Sequence, residues 1–145
     1  MIKNKDLRFI KFAKDISKCS DFKKTKLGAC IVLKDDILSV GYNTNKTHSL
    51  QEKYNIFRNF DEQDNVIAKC HAEINAISKL PYFIHENNFD MKNSTIYIFR
   101  QHKDTNEYAL AYPCAACYQA LLDIGIGRIV YTCENGIKEK IIKYK

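Results

Sequence analysis

Apolar residues recur along the chain in two periods, and the changes of period mark the elements. Leu7, Ile10, Ala13 and Ile16, flanked by Phe9 and Phe12, repeat at helical spacing from Asp6 to about Lys18, with Asp6 available as the cap. Residues 27–33 and 37–42 are apolar runs separated by the polar Lys34-Asp35-Asp36, which predicts a β-hairpin. Residues 43–69 are largely polar with Tyr54, Ile56, Phe57 and Phe60 embedded. A connection of that length is functional or hides a short helix, here around Leu50 to Phe60. From Cys70 the pattern is helical again through Ala72, Ile74, Ala76, Ile77 and Leu80, until Pro81 stops it. Residues 94–100 read as a β-branched and aromatic strand, followed by a polar loop from Gln101 to about Ala111. Pro113 stands where the first residue of a helix belongs, and Ala116, Ala120, Leu121 and Leu122 carry that helix to Gly125. Residues 128–132 form another strand. Asn135-Gly136 predicts a hairpin returning through Ile137 to about Ile142, although Ile137 and Ile141 also fit a helix. The order implies one sheet flanked by helices, an α/β layered fold, in a single domain over residues 1–145.

Composition narrows the class. With 145 residues, 46% of them hydrophobic, the chain has apolar surface for one core and little for a second. Five Gly, two Pro and 12% aromatic residues argue against low complexity and disorder. Apolar runs are only a few residues long and the chain opens on charged residues, so neither a membrane span nor a secretory leader is expected, and the expected compartment is the cytoplasm. In a reducing compartment, six Cys point toward metal or buried thiols rather than three disulfides. Cys19, Cys30 and Cys133 read as buried small hydrophobes. The net charge of +6 suits a nucleotide or nucleic-acid ligand and equally a solvated surface, so it decides nothing alone.

Two motifs carry chemistry: His71-Ala72-Glu73 opening the second long helix, and Pro113-Cys114-Ala115-Ala116-Cys117 opening the third. Cys114 and Cys117 are three apart, on one face of a first helical turn, the spacing that lets two thiolates hold one Zn²⁺. A helix N-terminus favours thiolate over thiol. His71 makes a third ligand and leaves one tetrahedral position for water, the arrangement of a catalytic rather than a structural site. Two thiolates weaken the ion as a Lewis acid, so a nearby base is needed, and Glu73 is the candidate. Residues two apart lie about 200° round a helix, so His71 and Glu73 converge only if His71 sits at the very start. Two alternatives stand beside this: buried helix-face cysteines with no metal, and a closed zinc site with Cys70, His48 or His102 as fourth ligand.

These motifs resemble those of the zinc-dependent cytidine/deoxycytidylate deaminase superfamily, whose members carry His-x-Glu and Pro-Cys-x-x-Cys. Residues 28–32 and 39–43 look like the family's first hairpin, 71–77 like its zinc helix, and 125–131 like the segment after the second. A first ligand of His, with Cys-Ala-Ala-Cys lacking a Met, looks more like the deoxycytidylate branch, while an Asn135-Gly136 hairpin would resemble free-nucleoside deaminases. The resemblance implies a three-layer α/β/α sandwich around a mixed sheet of about five strands. It also implies one Zn²⁺ per chain on His71, Cys114 and Cys117, with Glu73 catalytic, and a homo-oligomer, dimer or larger.

On that reading the reaction is hydrolytic deamination of the cytosine of a free nucleotide or nucleoside. Asn43 would hydrogen-bond the sugar, and the backbone near Ala72 and Pro113 would read the base edge. Tyr112 is the nominated aromatic wall, its alternative being a ring packed on the core. Lys46, His48, Lys53 and Arg58 are candidates for a phosphate cradle, Arg58 first among them. Two other classes remain open. One is a deaminase of bases within single-stranded DNA or RNA, its backbone tracked by Lys23-Lys24-Lys26 and Lys138-Lys140-Lys143-Lys145. The other is a non-catalytic zinc-binding module.

Overall fold

The structure, a computed structural model, describes residues 1–22, 25–58, 69–85 and 90–144. Five strands form one sheet: β1 (Leu27–Leu33), β2 (Asp36–Tyr42), β3 (Ser94–Arg100), β4 (Arg128–Cys133) and β5 (Gly136–Ile141), in the order β2-β1-β3-β4-β5. Among the described strands only β3 and β4 run parallel. They are joined across the sheet by helix α5 (Ala115–Ile124). Helix α1 (Asn4–Ser17) covers one face; α2 (Ser49–Tyr54), α3 (Ala72–Ser78) and α5 cover the other, giving the α/β/α sandwich. A 3₁₀ turn (Asn55–Phe57) follows α2, and the four-residue helix α4 (Tyr82–His85) follows α3.

Both faces of the inner strands are covered, which is why β1 and the middle of β3, residues 96–99, are apolar on both faces. Alternation divides them: Ala29, Ile31, Ile96 and Ile98 enter the core under α3 and α5, whereas Cys30, Val32, Tyr97 and Phe99 pack under α1. Two glycines let helices lie directly on the sheet. A Cβ on Gly28 would run into the backbone of α1 at Ala13 and Ser17, and one on Gly41 into the backbone of α3 at Ala72 and Ala76.

Several boundaries differ from expectation. Helix α1 begins before Asp6, whose carboxylate accepts the Lys3 N–H (2.8 Å) from inside the first turn. That carboxylate is fully buried, takes Arg128 in a fork (Nη1 2.9 Å, Nη2 3.0 Å) and accepts the Tyr97 hydroxyl (2.6 Å). The first hairpin turns on Lys34 and Asp35 alone, both at positive φ, so Asp36 already belongs to β2. The second turns on Glu134 and Asn135, with Gly136 at φ 126° starting β5, and residues 136–141 form a strand rather than a helix. Cys70 precedes α3 instead of opening it, and the helix stops at Ser78, after which Pro81 starts the separate turn α4. Cys30 and Cys133 are buried as expected, but Cys19 is exposed; all six thiols are free. Among the described residues no helix is long and apolar enough to cross a membrane.

Candidate active site

The site lies where α3 and α5 begin, on the face of the sheet opposite α1. His71 is the N-cap of α3, with extended backbone (φ −78°, ψ 159°), and Glu73 follows in the first turn. This break from helical geometry brings the imidazole and the carboxylate to the same side. Cys114 is likewise the N-cap of α5 and Cys117 sits in its first turn. Pro113 is therefore one residue outside the cap rather than the first helical residue.

The His71 Nδ1 is 3.3 Å from the Cys117 Sγ and 3.6 Å from the Cys114 Sγ, and the three donor atoms lie within 4.8 Å of one another. Zn–S of about 2.3 Å and Zn–N of about 2.0 Å at the tetrahedral angle require an N···S separation of about 3.5 Å, so the donor set fits Zn²⁺ in both chemistry and spacing. These donors must give up protons to bind a metal. The Cys117 thiol beside it, with His71 adding and burial opposing, holds Cys114 down at about 4. Cys117 is pushed well up by its neighbour Cys114 and by burial. Burial lowers His71, but Cys114 and Glu73 prevail and raise it. Glu73 is 3% exposed and its Oε1 has no hydrogen-bond partner. Burial raises this carboxyl above the usual range, with His71 opposing.

A fourth protein ligand is not found among the described residues. The Cys70 Sγ is turned to the His71 carbonyl, His48 Nδ1 accepts the Leu50 N–H to cap α2, and His102 faces Glu134. What holds His71 is Gln51, which nothing in its local sequence singles out. Fully buried on α2, it accepts the His71 N–H at Oε1 (3.0 Å) and donates from Nε2 to Asn55 (2.8 Å).

A cleft of about 780 Å³ opens over Glu73, His71 and Cys114. Of the expected substrate contacts, Asn43, Ala72, Tyr112 and Arg58 line it, and Pro113 does not: the ring is buried as the chain turns into α5. The Asn43 amide is engaged on both sides, accepting the Leu27 N–H (2.8 Å) and donating to the Thr25 carbonyl (2.8 Å), so it fixes the start of β1 against the end of β2. Tyr112 is half-exposed, stacked on Tyr118 and edge-on to Tyr131. Lys46, His48 and Lys53 lie outside the cleft. Among the described residues its cations are Arg58, Lys69 and Arg100, and its added apolar walls include Phe22, Leu27 and Leu110. Lys23, Lys24 and Lys145 fall outside the described residues, and Lys26, Lys138, Lys140 and Lys143 do not line the cleft.

Over residues 3–133 the chain matches the family described as the cytidine and deoxycytidylate deaminase zinc-binding region. The chain belongs to this family. No curated protein matches it in sequence. Among solved structures it is similar to the dCMP deaminase of the cyanophage S-TIM5: 21% identity over 90% of this chain and 84% of that one, TM-score 0.58. That enzyme is also solved in complex with dCMP and dUMP. The cytidine deaminase of Burkholderia pseudomallei matches at 15% identity over 97% and 93%, TM-score 0.58. The one from Mycobacterium leprae matches at 17% over 95% and 94%, TM-score 0.54. These likenesses show that the sandwich is the cytidine deaminase fold. Family membership and the His-Cys-Cys donor set together support one Zn²⁺ per chain and a hydrolytic deaminase.

Proposed function

We propose that this chain converts the cytosine of a free nucleotide or nucleoside, of the dCMP kind, to uracil with release of ammonia. The observation that carries the reading is Glu73: a buried carboxylate with an unpartnered oxygen, beside three metal donors, at the floor of a solvent-reaching cleft. A buried acceptor without a partner is unfavourable by about 1–3 kcal/mol, and a chain that retains one has a use for it.

His71, Cys114 and Cys117 would hold the ion, and Zn²⁺ in that setting supplies the Lewis acidity that lets water lose a proton near neutral pH. Glu73 takes that proton as the water oxygen bonds to C4 of the ring, and delivers it to N3. It then carries the remaining hydroxyl proton to the exocyclic amine; the C4–N bond breaks, ammonia leaves and C4 keeps its oxygen as a carbonyl. Its raised affinity for protons, a consequence of burial, suits a group that must accept and return them. Asn43 holds the sugar end of the cleft, the backbone at Ala72 meets the base edge, and Tyr112 walls the ring.

Glu73→Gln preserves size and burial but cannot shuttle a proton. We expect it to retain about one zinc per chain by metal analysis and to lose turnover of dCMP and deoxycytidine by about 10²–10⁴-fold. Substantial activity in this variant removes Glu73 from proton transfer and with it the proposed mechanism.

A further inference from the structure

We infer that Arg100, seconded by Lys69, selects a 5′-phosphate, so that cytosine nucleoside monophosphates are deaminated in preference to nucleosides; this rests on the deaminase reading above. The first observation is one of register. On β3 the row facing α3 and α5 runs Ile96, Ile98, Arg100, and its partners on β1 run Ile31, Ala29, Leu27. A guanidinium therefore occupies a position whose predecessors are core residues, at the point where the row leaves the cover of the helices and enters the cleft.

The second observation is how little holds that guanidinium. Its Nη1 donates to the Leu110 carbonyl (3.2 Å), while Nε is buried without a partner, and no carboxylate among the described residues pairs with it. Five N–H donors on a rigid fork are thus left largely unspent. Lys69 is similar: its Nζ touches Asn45 Oδ1 (3.3 Å) and lies 5.6 Å from the centre of the Phe22 ring, with no ion pair to a described residue. Among the described residues lining the cleft the sole carboxylate is Glu73, against three cations. An anion is the ligand this field fits, and a planar fork suits phosphate in particular.

Position makes the anion a 5′-phosphate. Asn43, the proposed sugar contact, binds the Leu27 amide, and Leu27 is paired with Arg100 across one strand spacing of about 4.8 Å. Arg100 thus stands one strand beyond the proposed sugar contact, in the same cleft. The antiparallel β5, which resembles the free-nucleoside enzymes, is at the far edge of the sheet and lines no part of the cleft.

The experiment compares kcat/KM for deoxycytidine 5′-monophosphate, deoxycytidine, and cytosine within a short single-stranded oligodeoxynucleotide, in wild type, Arg100→Gln, Arg100→Lys and Lys69→Gln. Wild type is expected to prefer the monophosphate. Arg100→Gln should lower that preference over deoxycytidine by about tenfold to a hundredfold, chiefly through KM. Arg100→Lys should restore part of it, and Lys69→Gln, a loop substitution that breaks no ion pair among the described residues, should repeat the direction with a smaller loss. A wild-type preference for the nucleoside or the oligonucleotide overturns the inference. So does a fall in both small substrates together, which is what a merely structural Arg100 would give. Activity on none of the three refutes the deaminase reading itself, and this inference with it.

Discussion

Gln51 is the test of whether the metal site is held by its own ligands or by the shell behind them. Replacing it with Leu keeps the volume and removes two hydrogen bonds. The His71 N–H loses its acceptor at 3.0 Å, and Asn55 Oδ1 loses its donor at 2.8 Å beside an Nδ2 that already has no partner. Each orphaned buried group costs about 1–3 kcal/mol, and the extra apolar surface of Leu returns about 1 kcal/mol, so the two together leave a net loss of about 1–5 kcal/mol. For a chain of this size that is a fall in Tm of roughly 3–16 °C. The consequence that matters lies at the metal. With its amide unanchored, His71 no longer sits at one N-cap conformation, and loss of a group that orients a ligand typically costs 10–100-fold in metal affinity. Competition with a chromophoric chelator gives the zinc affinity, and thermal melts of the metal-free chain give the stability. A drop in stability with unchanged zinc affinity refutes the positioning role; unchanged values of both refute the energetic reasoning as well.

The remaining expectations concern the scaffold. Asp6→Asn breaks the buried fork with Arg128 on the face opposite the cleft and should destabilise by about 3–5 kcal/mol in urea melts while leaving kcat/KM intact below the melting range. Burial opposes the Asp6 carboxylate, but Arg128, the Tyr97 hydroxyl and the Lys3 N–H outweigh it and hold the carboxyl well below its unfolded value. Its contribution is therefore complete above about pH 4 and is lost as pH falls further, so the acid limb of wild-type stability should flatten in the variant. Gly41→Ala drives a methyl into the backbone of α3 and should lower both stability and zinc content, because α3 cannot move without moving His71. Gly136→Ala, which meets no atom within 4 Å but sits at φ 126°, should cost about 1 kcal/mol in melts and leave zinc content unchanged.

What could be read in advance was whatever depends on near neighbours in the chain. The doubly covered β1 and the middle of β3 announce themselves as apolar runs, and two thiols three apart before a helix, like a histidine two before a glutamate, define short-range geometry that any fold preserves. The cationic end of the cleft is different in kind. Lys46, His48, Lys53 and Arg58 fall in one polar stretch of sequence, and nothing local distinguishes the one that enters the cleft; Lys69 and Arg100 lie 31 residues apart and are brought together only by the fold. Gln51 was hidden for the same reason, since a polar residue in a polar stretch shows its burial only when α2 packs behind His71. Arg100 alone left a trace. The alternation Ile96, Ile98, Arg100 places a cation in a core register, and such a break of pattern has two physical outcomes: the charge finds a buried counter-ion, or the strand has reached a site. Asp6 and Arg128 illustrate the first on the other face of the sheet, complete with fork and counter-charge. Arg100 has a single carbonyl and an unspent Nε. The contrast between these two arginines, one satisfied and one not, is the physical ground for assigning one to the scaffold and the other to the substrate.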